Sequence, residues 1–272
     1  MSRRTPLNNL TRTLHEHSHD GLLPFEAERQ IATRFDLPLW EVEHQALEEA
    51  ILPLRYARNR QTIDTARQLR LLDARVAIIG CGGLGGHVAE MLARIGVGQL
   101  TLIDPDTFDE HNLNRQNFST LATLGQEKVQ VLKHHLLAIN PATQIRPITH
   151  RFDPAHDMPL IDDADVVIDA LDDPAVKLTL AEACQSRSLP FIHGAIAGMD
   201  GQLAVNTTLE HLYRDGTHGA EETAGNLSFS AAFIASLQAS ETVKLLLDLG
   251  ESLEGEILIT DLMYGDFTRI RA

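Results

Sequence analysis

Hydrophobic positions along this chain follow two patterns, and the change falls after "RYARNRQTIDTARQLRLLD" (55–73). Beyond it, short apolar runs rich in β-branched residues recur at "RVAIIG" (75–80), "QLTLID" (99–104), "TQIRPI" (143–148), "ADVVIDAL" (164–171) and "LPFIHGAI" (189–196). Runs of this length and make-up read as strands. Most are separated by stretches with apolar residues three and four apart, "GGHVAEMLARIG", "GQEKVQVLKHHLLAIN" and "PAVKLTLAEACQSRS", which read as helices. Strands alternating with helices pair in parallel, so the expected fold is α/β with a doubly wound, mainly parallel sheet. Its ligands should lie beyond the carboxyl ends of the strands. "GQLAVNTT" adds a strand, a polar stretch covers 209–226, and a long helix rich in small residues follows, "SFSAAFIASLQASETVKLLLDLG". "GEILITDLMYGDFTRIRA" closes the chain as a hairpin, a C-terminal antiparallel extension of the sheet.

Before the change, "PFEAERQIATRFDLPLWEVEHQALEEAILPL" (24–54) shows helical spacing broken at "DLP", which predicts two or three short helices. Residues 1–20 are polar and are expected to form a frayed tail. The chain thus divides into a tail and small helical appendage (1–54) and a larger α/β unit (55–272). A DNA-binding helix-turn-helix is the sharp alternative for the appendage, but the segment is acidic and lacks a basic recognition face.

Charge and cysteine usage narrow the class. A formal charge of -15 argues against nucleic acid or an anionic membrane as partner. No apolar run approaches the ~20 residues of a membrane span, and the start "MSRRTPLNNLTRTLHEHSHD" has no apolar core of the signal-peptide kind. The expectation is a soluble, cytoplasmic protein. Two cysteines, Cys81 and Cys184, make no disulfide framework.

The richest local signal is "VAIIGCGGLGGH" (76–87), a strand breaking into glycines and resuming as a helix. Gly80, Gly82 and Gly85 fit the G-x-G-x-x-G spacing of Rossmann-like dinucleotide binders, with Gly83 an extra glycine inside it. Such a turn brings backbone N–H groups and a helix N-terminus to a phosphate. By itself it leaves NAD, FAD, S-adenosylmethionine and ATP all open. Asp104 ends the next strand, about 20 residues on, where a carboxylate accepts ribose hydroxyls. A triphosphate undergoing attack needs cations on its phosphates and usually Mg²⁺ held by carboxylate. The chain supplies such groups at strand ends and helix starts: Arg115 and Gln116 in "NLNRQ", Lys128 in "GQEKV", and Asp172 and Asp173 in "DALDD". The plain readings are solvated charge for Arg115 and Lys128, and helix capping before Pro174 for the aspartate pair. No Walker A motif is present, which excludes a P-loop ATPase.

"GCGGLGG", "LIDPDTFDEHNLNRQNF", "LGQEKV", "INP" and "DVVIDALDD" together resemble the ThiF/MoeB/HesA family of ubiquitin-activating-type adenylyltransferases, over roughly residues 55–272. The resemblance implies Mg-ATP-dependent adenylation of the C-terminal glycine carboxylate of a small ubiquitin-like sulfur-carrier protein (MoaD/ThiS-like). Such carriers serve molybdopterin, tungstopterin or thiamine synthesis. It implies roles by position: Gly80, Gly82, Gly83 and Gly85 at the phosphate-side turn, Asp104 on the ribose, and Asn112 and Arg115 on the nucleotide and its phosphates with Gln116 in support. Lys128 would sit at the α-phosphate, Asp172 would hold Mg²⁺, and Asp173 would lie beside the nucleotide. "RYARN" is similar to the family's R-Y-x-R-Q, so Arg58 would reach the γ-phosphate from the partner subunit of a homodimer, although Asn59 replaces the usual Gln. The residue inventory agrees with that chemistry: cations and a carboxylate for positioning and charge neutralisation, with no side-chain nucleophile and no evident use in a redox enzyme.

The chain also departs from the family. Many relatives hold a structural zinc with two C-x-x-C pairs, and this sequence has none, so no structural zinc is expected. The stretch matching the crossover loop, "TTLEHLYRDGTHGAEETAGNLSF", has no cysteine. Cys184 reads as a buried helix residue and Cys81 as a small residue in a tight turn, so the reaction is expected to stop at the acyl-adenylate, with sulfur arriving from a separate protein. His15, His17 and His19 in "HEHSHD" read as solvated histidines before they read as a metal site. His193 reads as a satisfied core histidine, with an approach to the substrate tail as the sharper alternative. The competing functions are a related enzyme that adenylates a small carboxylate or modified tRNA (threonylcarbamoyladenosine dehydratase-like), a non-catalytic nucleotide-binding scaffold, and a nicotinamide or flavin oxidoreductase.

Overall fold

A computed structural model describes residues 4–210, 212–213 and 224–271, with the side chains of 4–8 left aside. The core is an eight-stranded sheet in the order β10-β9-β8-β7-β6-β3-β4-β5. Its parallel part comprises β3 (Arg75–Ile79), β4 (Gln99–Ile103), β5 (Gln144–Ile148), β6 (Val166–Asp169) and β7 (Phe191–Ala197). β8 (Asp200–Val205), β9 (Glu256–Asp261) and β10 (Asp266–Arg271) continue it antiparallel. The doubly wound parallel sheet and its antiparallel extension match the sequence reading, and β9–β10 is the expected terminal hairpin.

The β3 residues are hydrophobic on both faces because helices cover both. Val76 and Ile78 join one cluster with Val88, Leu92 and Ile234, under α5 (Gly83–Ile95) and α8 (Ser228–Leu247). Ala77 and Ile79 join the opposite cluster with Leu180 and Cys184 of α7 (Pro174–Ser186). That two-faced burial is why the strand reads as a continuous apolar run rather than an alternating one. β3 pairs with β4 on one side and β6 on the other, so the winding direction reverses between β3 and β6. A crevice therefore opens at the carboxyl ends of these two strands, where Gly80 and Ala170 begin their loops.

The N-terminal part corrects one expectation. Residues 4–17 form a helix, α1 (Arg4–His17), rather than a frayed tail. Leu10 and Leu14, one turn apart, are buried with Ile31 of α2 (Phe25–Phe35) and Val42 and Ala46 of α3 (Leu39–Glu48). The polar average of the segment hid this narrow stripe. α2 and α3 meet at Asp36-Leu37-Pro38, where Asp36 adopts the left-handed conformation (φ 53°), so the predicted break at "DLP" is real. α3 carries Glu41, Glu43 and Glu48 and neither Lys nor Arg. A two-stranded parallel pair, β1 (Leu22–Leu23) with β2 (Leu52–Pro53), brings this helical unit back to Arg55 and Tyr56. Arg55 ion-pairs with Glu28 of α2 and Glu43 of α3, both carboxylates almost wholly buried, and its guanidinium stacks on Phe25 and Tyr56. The Tyr56 hydroxyl accepts from Asn140 (2.8 Å) at the end of α6 (Lys128–Ile139), fastening the junction to the α/β unit.

Candidate nucleotide site

Two glycines make the crevice possible. Gly80 leaves β3 with φ +91°, and a Cβ there would sit 2.5 Å from the Ala170 carbonyl oxygen of the neighbouring loop. A Cβ on Gly85 would overlap the Gly80 carbonyl oxygen at 1.8 Å, so α5 can start this close to the strand only without a side chain. Gly82 and Gly83 are less constrained: a Cβ would meet Gln116 Nε2 at 3.3 Å and Arg115 Cγ at 3.6 Å, respectively. The N-terminus of α5, with no acidic residue in its first turn, thus backs onto the two polar residues of "NLNRQ" and directs its partial positive charge into the crevice.

The resulting cavity is about 220 Å³. Gly80, Gly82, Gly83, Asp104, Arg115 and Gln116 line it, together with Lys128, Asp172 and Asp173. Nine of the residues singled out from the sequence therefore converge on one cleft. Lys128 begins α6 and is 6% exposed, yet it reaches the cavity; its ammonium lies 3.0 Å from Asp106 Oδ2 and 4.0 Å from Asp104 Oδ1. Asp104 accepts the N–H groups of Cys81 (2.7 Å) and Asp106 (2.8 Å), so its carboxylate holds the glycine turn in place. Burial raises its pKa against the opposing pull of Lys128. Arg115 is half-buried and donates to the His111 carbonyl (3.1 Å) and Asn114 Oδ1 (3.0 Å). Gln116 is buried, and its Oε1 has no hydrogen-bond partner among the described residues. Asp173 caps α7, accepting from Ala175 N (2.9 Å) and Val176 N (3.4 Å), while the exposed Asp172 lines the cleft beside it.

Three expected site residues lie outside the cavity lining. Gly85 is internal to α5. Asn112 is buried and accepts the Asp109 N–H (2.9 Å), closing the turn that presents Arg115 and Gln116. Arg58 is exposed and does not line the cleft of its own chain. Conversely, Asp106, His150, Arg151, Phe152 and Asn226 line the cavity without having been singled out. Asp106 had a signal, since "LIDPD" places a second carboxylate two residues beyond the strand-end Asp104. The others come from loops distant in sequence.

Both cysteines are buried, and burial raises both thiols, Cys184 to about 12 and Cys81 well above its ordinary value. His193 is wholly buried and paired with Asp169 (2.7 Å), the satisfied core histidine of the sequence reading. His15 approaches Glu49 (3.3 Å) and His17 bonds the Thr13 carbonyl (2.9 Å), so these histidines have separate partners. Of the crossover stretch, residues 211 and 214–223 lie outside the described residues.

A glycine turn, the basic side chains Arg115, Lys128 and Arg151, and the adjacent Asp172 and Asp173 thus meet at the switch point of the doubly wound sheet, the place where folds of this class take their ligands. The chain belongs to the ThiF family, whose model matches residues 56–272. It is 37% identical over 231 residues to the molybdopterin-synthase adenylyltransferase of Escherichia coli (strain K12), covering 80% of this chain and 92% of that one. It is 33% identical over 204 residues to the SAMP-activating enzyme E1 of Haloferax volcanii, covering 72% and 76%. Crystal structures of E. coli MccB share the fold, the form with ATP at TM-score 0.70 and 20% identity over 97% of this chain and 87% of that one. The chain is an enzyme of the nucleotidyltransferase kind, as the adenylyltransferase among these relatives is by name.

Proposed function

We propose that this protein uses ATP to adenylate the C-terminal glycine carboxylate of a small ubiquitin-like sulfur carrier, releasing pyrophosphate. The observation that carries this reading is the convergence of Arg115, Lys128 and Asp172 around the glycine turn, with both thiols of the chain buried. A carboxylate oxygen forms a bond to the α-phosphorus while the bond to the bridging oxygen breaks, and pyrophosphate leaves with that electron pair. The attacking group is already anionic, so no general base is required. Catalysis then consists of positioning and of neutralising charge on the phosphates, which Lys128, Arg115 and the α5 N-terminus are suited to supply.

Mg²⁺ fits the residues present. The exposed Asp172 carboxylate lines the cleft, the donor type a hard cation combines with phosphate oxygens. Bound there, it would neutralise phosphate charge, with Asp172 as its protein ligand and Asp173 beside the nucleotide. Asp104 and Asn112 are read here as holding the turns that shape the nucleotide site, Asp104 also offering acceptor capacity to the ribose.

A small apolar slot of about 70 Å³ joins the cleft at Asp172 and Ile196. Its walls include Ala195, Ala197 and Gly201, a width suited to a terminus without side chains such as Gly-Gly. Arg58 lies outside its own cleft, which favours a homodimer in which it completes the partner's site. The two inert cysteines favour sulfur delivery by a separate donor protein. The relatives favour molybdopterin synthesis over thiamine as the pathway served. No helix among the described residues is long and apolar enough to cross a membrane, and with the acidic composition this favours the cytoplasm. Mass spectrometry of a quenched reaction with ATP and a Gly-Gly-ended carrier tests the reading directly: an acyl-adenylate on the carrier is expected, and an unmodified carrier contradicts it.

A further inference from the structure

Behind the cleft, four side chains that the adenylation chemistry leaves unused form a connected set. Asp169 ends β6, Lys177 lies on α7, His193 on β7, and Tyr213 on the segment after β8. The side chains of Asp169, Lys177 and His193 are at most 2% exposed. Charges buried this deeply persist only when paired. Lys177 Nζ donates to both Asp169 oxygens (3.3 and 3.2 Å) and to the Gly194 carbonyl (3.0 Å), which neutralises the carboxylate.

His193 Nδ1 lies 2.7 Å from Asp169 Oδ2. Burial and the Lys177 ammonium lower the pKa of the imidazole, outweighing the Asp169 carboxylate that raises it. The ring is therefore neutral, and its one N–H is on Nδ1, where the carboxylate accepts it. Nε2 is left as an acceptor, and the Tyr213 hydroxyl lies 3.3 Å from it, with the two rings edge to face at 5.8 Å. Asp169 reaches the other way as well: its Oδ1 accepts the Leu171 N–H (3.0 Å), immediately before Asp172. Asp172 and Tyr213 both line the apolar slot.

A buried ion pair needed only for stability has no use for a histidine whose acceptor nitrogen faces a slot-wall tyrosine. We propose that His193 is a positioning residue for acyl transfer: it ties Tyr213, on the wall of the slot, to Asp169 and so to the loop that carries Asp172. Carboxylate and nucleotide are thereby held in one frame. This rests on the adenylation reading and adds to it the residues that set the fit of the acyl substrate rather than of ATP.

Tyr213→Phe removes one oxygen and keeps the ring. In carrier-dependent ATP–pyrophosphate exchange it should raise KM for the carrier by about fivefold or more, the loss of at least one neutral hydrogen bond. KM for ATP and the unfolding midpoint should stay as in the parent. His193→Asn keeps an amide donor for Asp169 but falls short of Tyr213, so it should also raise KM for the carrier, and the double variant should be no worse than Tyr213→Phe. An unchanged carrier KM in Tyr213→Phe, or losses that multiply, would overturn the proposal. A second readout is independent of activity: the ¹⁵N spectrum of the unmodified protein should show His193 neutral and protonated on Nδ1, with its Nε2 signal displaced in Tyr213→Phe. A proton on Nε2, or a signal that does not move, overturns the link. A parent protein without carrier-dependent exchange overturns the adenylation reading and the acyl-transfer role with it, while the nitrogen signature still decides the link itself.

Discussion

The Lys128 ammonium is held 3.0 Å from the Asp106 carboxylate at the edge of the nucleotide cleft. The lysine is buried and the aspartate more than half exposed, so the pair keeps a cation at the cavity without neutralising it in a closed interior. Lys128→Met should lower adenylation kcat by about 10²–10³-fold, as for loss of one preorganised charge-stabilising group. Asp106→Asn should instead lower KM for ATP by about threefold, the modest effect expected of a partly solvated ion pair that competes with phosphate. Steady-state kinetics with ATP varied distinguishes the two.

The glycine turn gives a graded prediction. Gly80→Ala places a methyl group against the Ala170 carbonyl at a positive φ, and should destabilise the fold by about 2–4 kcal/mol. Gly83→Ala meets only ordinary contacts and should leave stability nearly unchanged while reducing ATP affinity, because the added group faces Arg115. Denaturant unfolding and nucleotide titration measure the two effects separately.

Much of this turn was legible in the sequence, for a physical reason. A buried parallel strand must be apolar on both faces, and a backbone that approaches a phosphate must shed its side chains, so "VAIIGCGGLGG" declares both. α1 was not legible, because the leucines at 7, 10 and 14 are a sparse stripe in a polar segment, and Leu10 and Leu14 gain meaning only against Ile31 and Val42. Lys177 and Asp169 read as an ordinary helix residue and a strand end; only the parallel register that sets Asp169 beside His193 shows them as one buried set. The resemblance puts Asn112 on the nucleotide, and only the fold shows that its Oδ1 also closes the preceding turn.

Arg55 ties α2 to α3 through Glu28 and Glu43. Removing Arg55 leaves the Glu28 and Glu43 carboxylates buried without their cation, and Arg55→Ala should cost about 3–5 kcal/mol in unfolding free energy. Burial raises the Glu28 pKa despite Arg55. A raised folded-state pKa means the native protein binds the extra proton. The associated stability is complete below the unfolded value of about 4.3 and is lost as pH rises through the folded value. The unfolding free energy of the parent minus that of Glu28→Gln should therefore fall with rising pH across that window. A difference that is flat or rises contradicts the burial argument.

Arg58 yields a test of assembly. If it completes the partner's site, Arg58→Ala and Asp172→Ala proteins are each inactive, yet an equal mixture that exchanges subunits forms heterodimers with one intact site. Statistical mixing then restores about a quarter of parental activity. No recovery after confirmed subunit exchange places Arg58 outside the partner's cleft.

The central claim is that the cleft activates a protein carboxylate with ATP. Incorporation of labelled pyrophosphate into ATP, measured with and without a carrier ending in Gly-Gly, tests it most directly. Exchange should require the carrier and Mg²⁺, and should disappear in Asp172→Ala and fall steeply in Arg115→Ala. Exchange that proceeds without the carrier, or only with a small carboxylate or tRNA, would contradict the account.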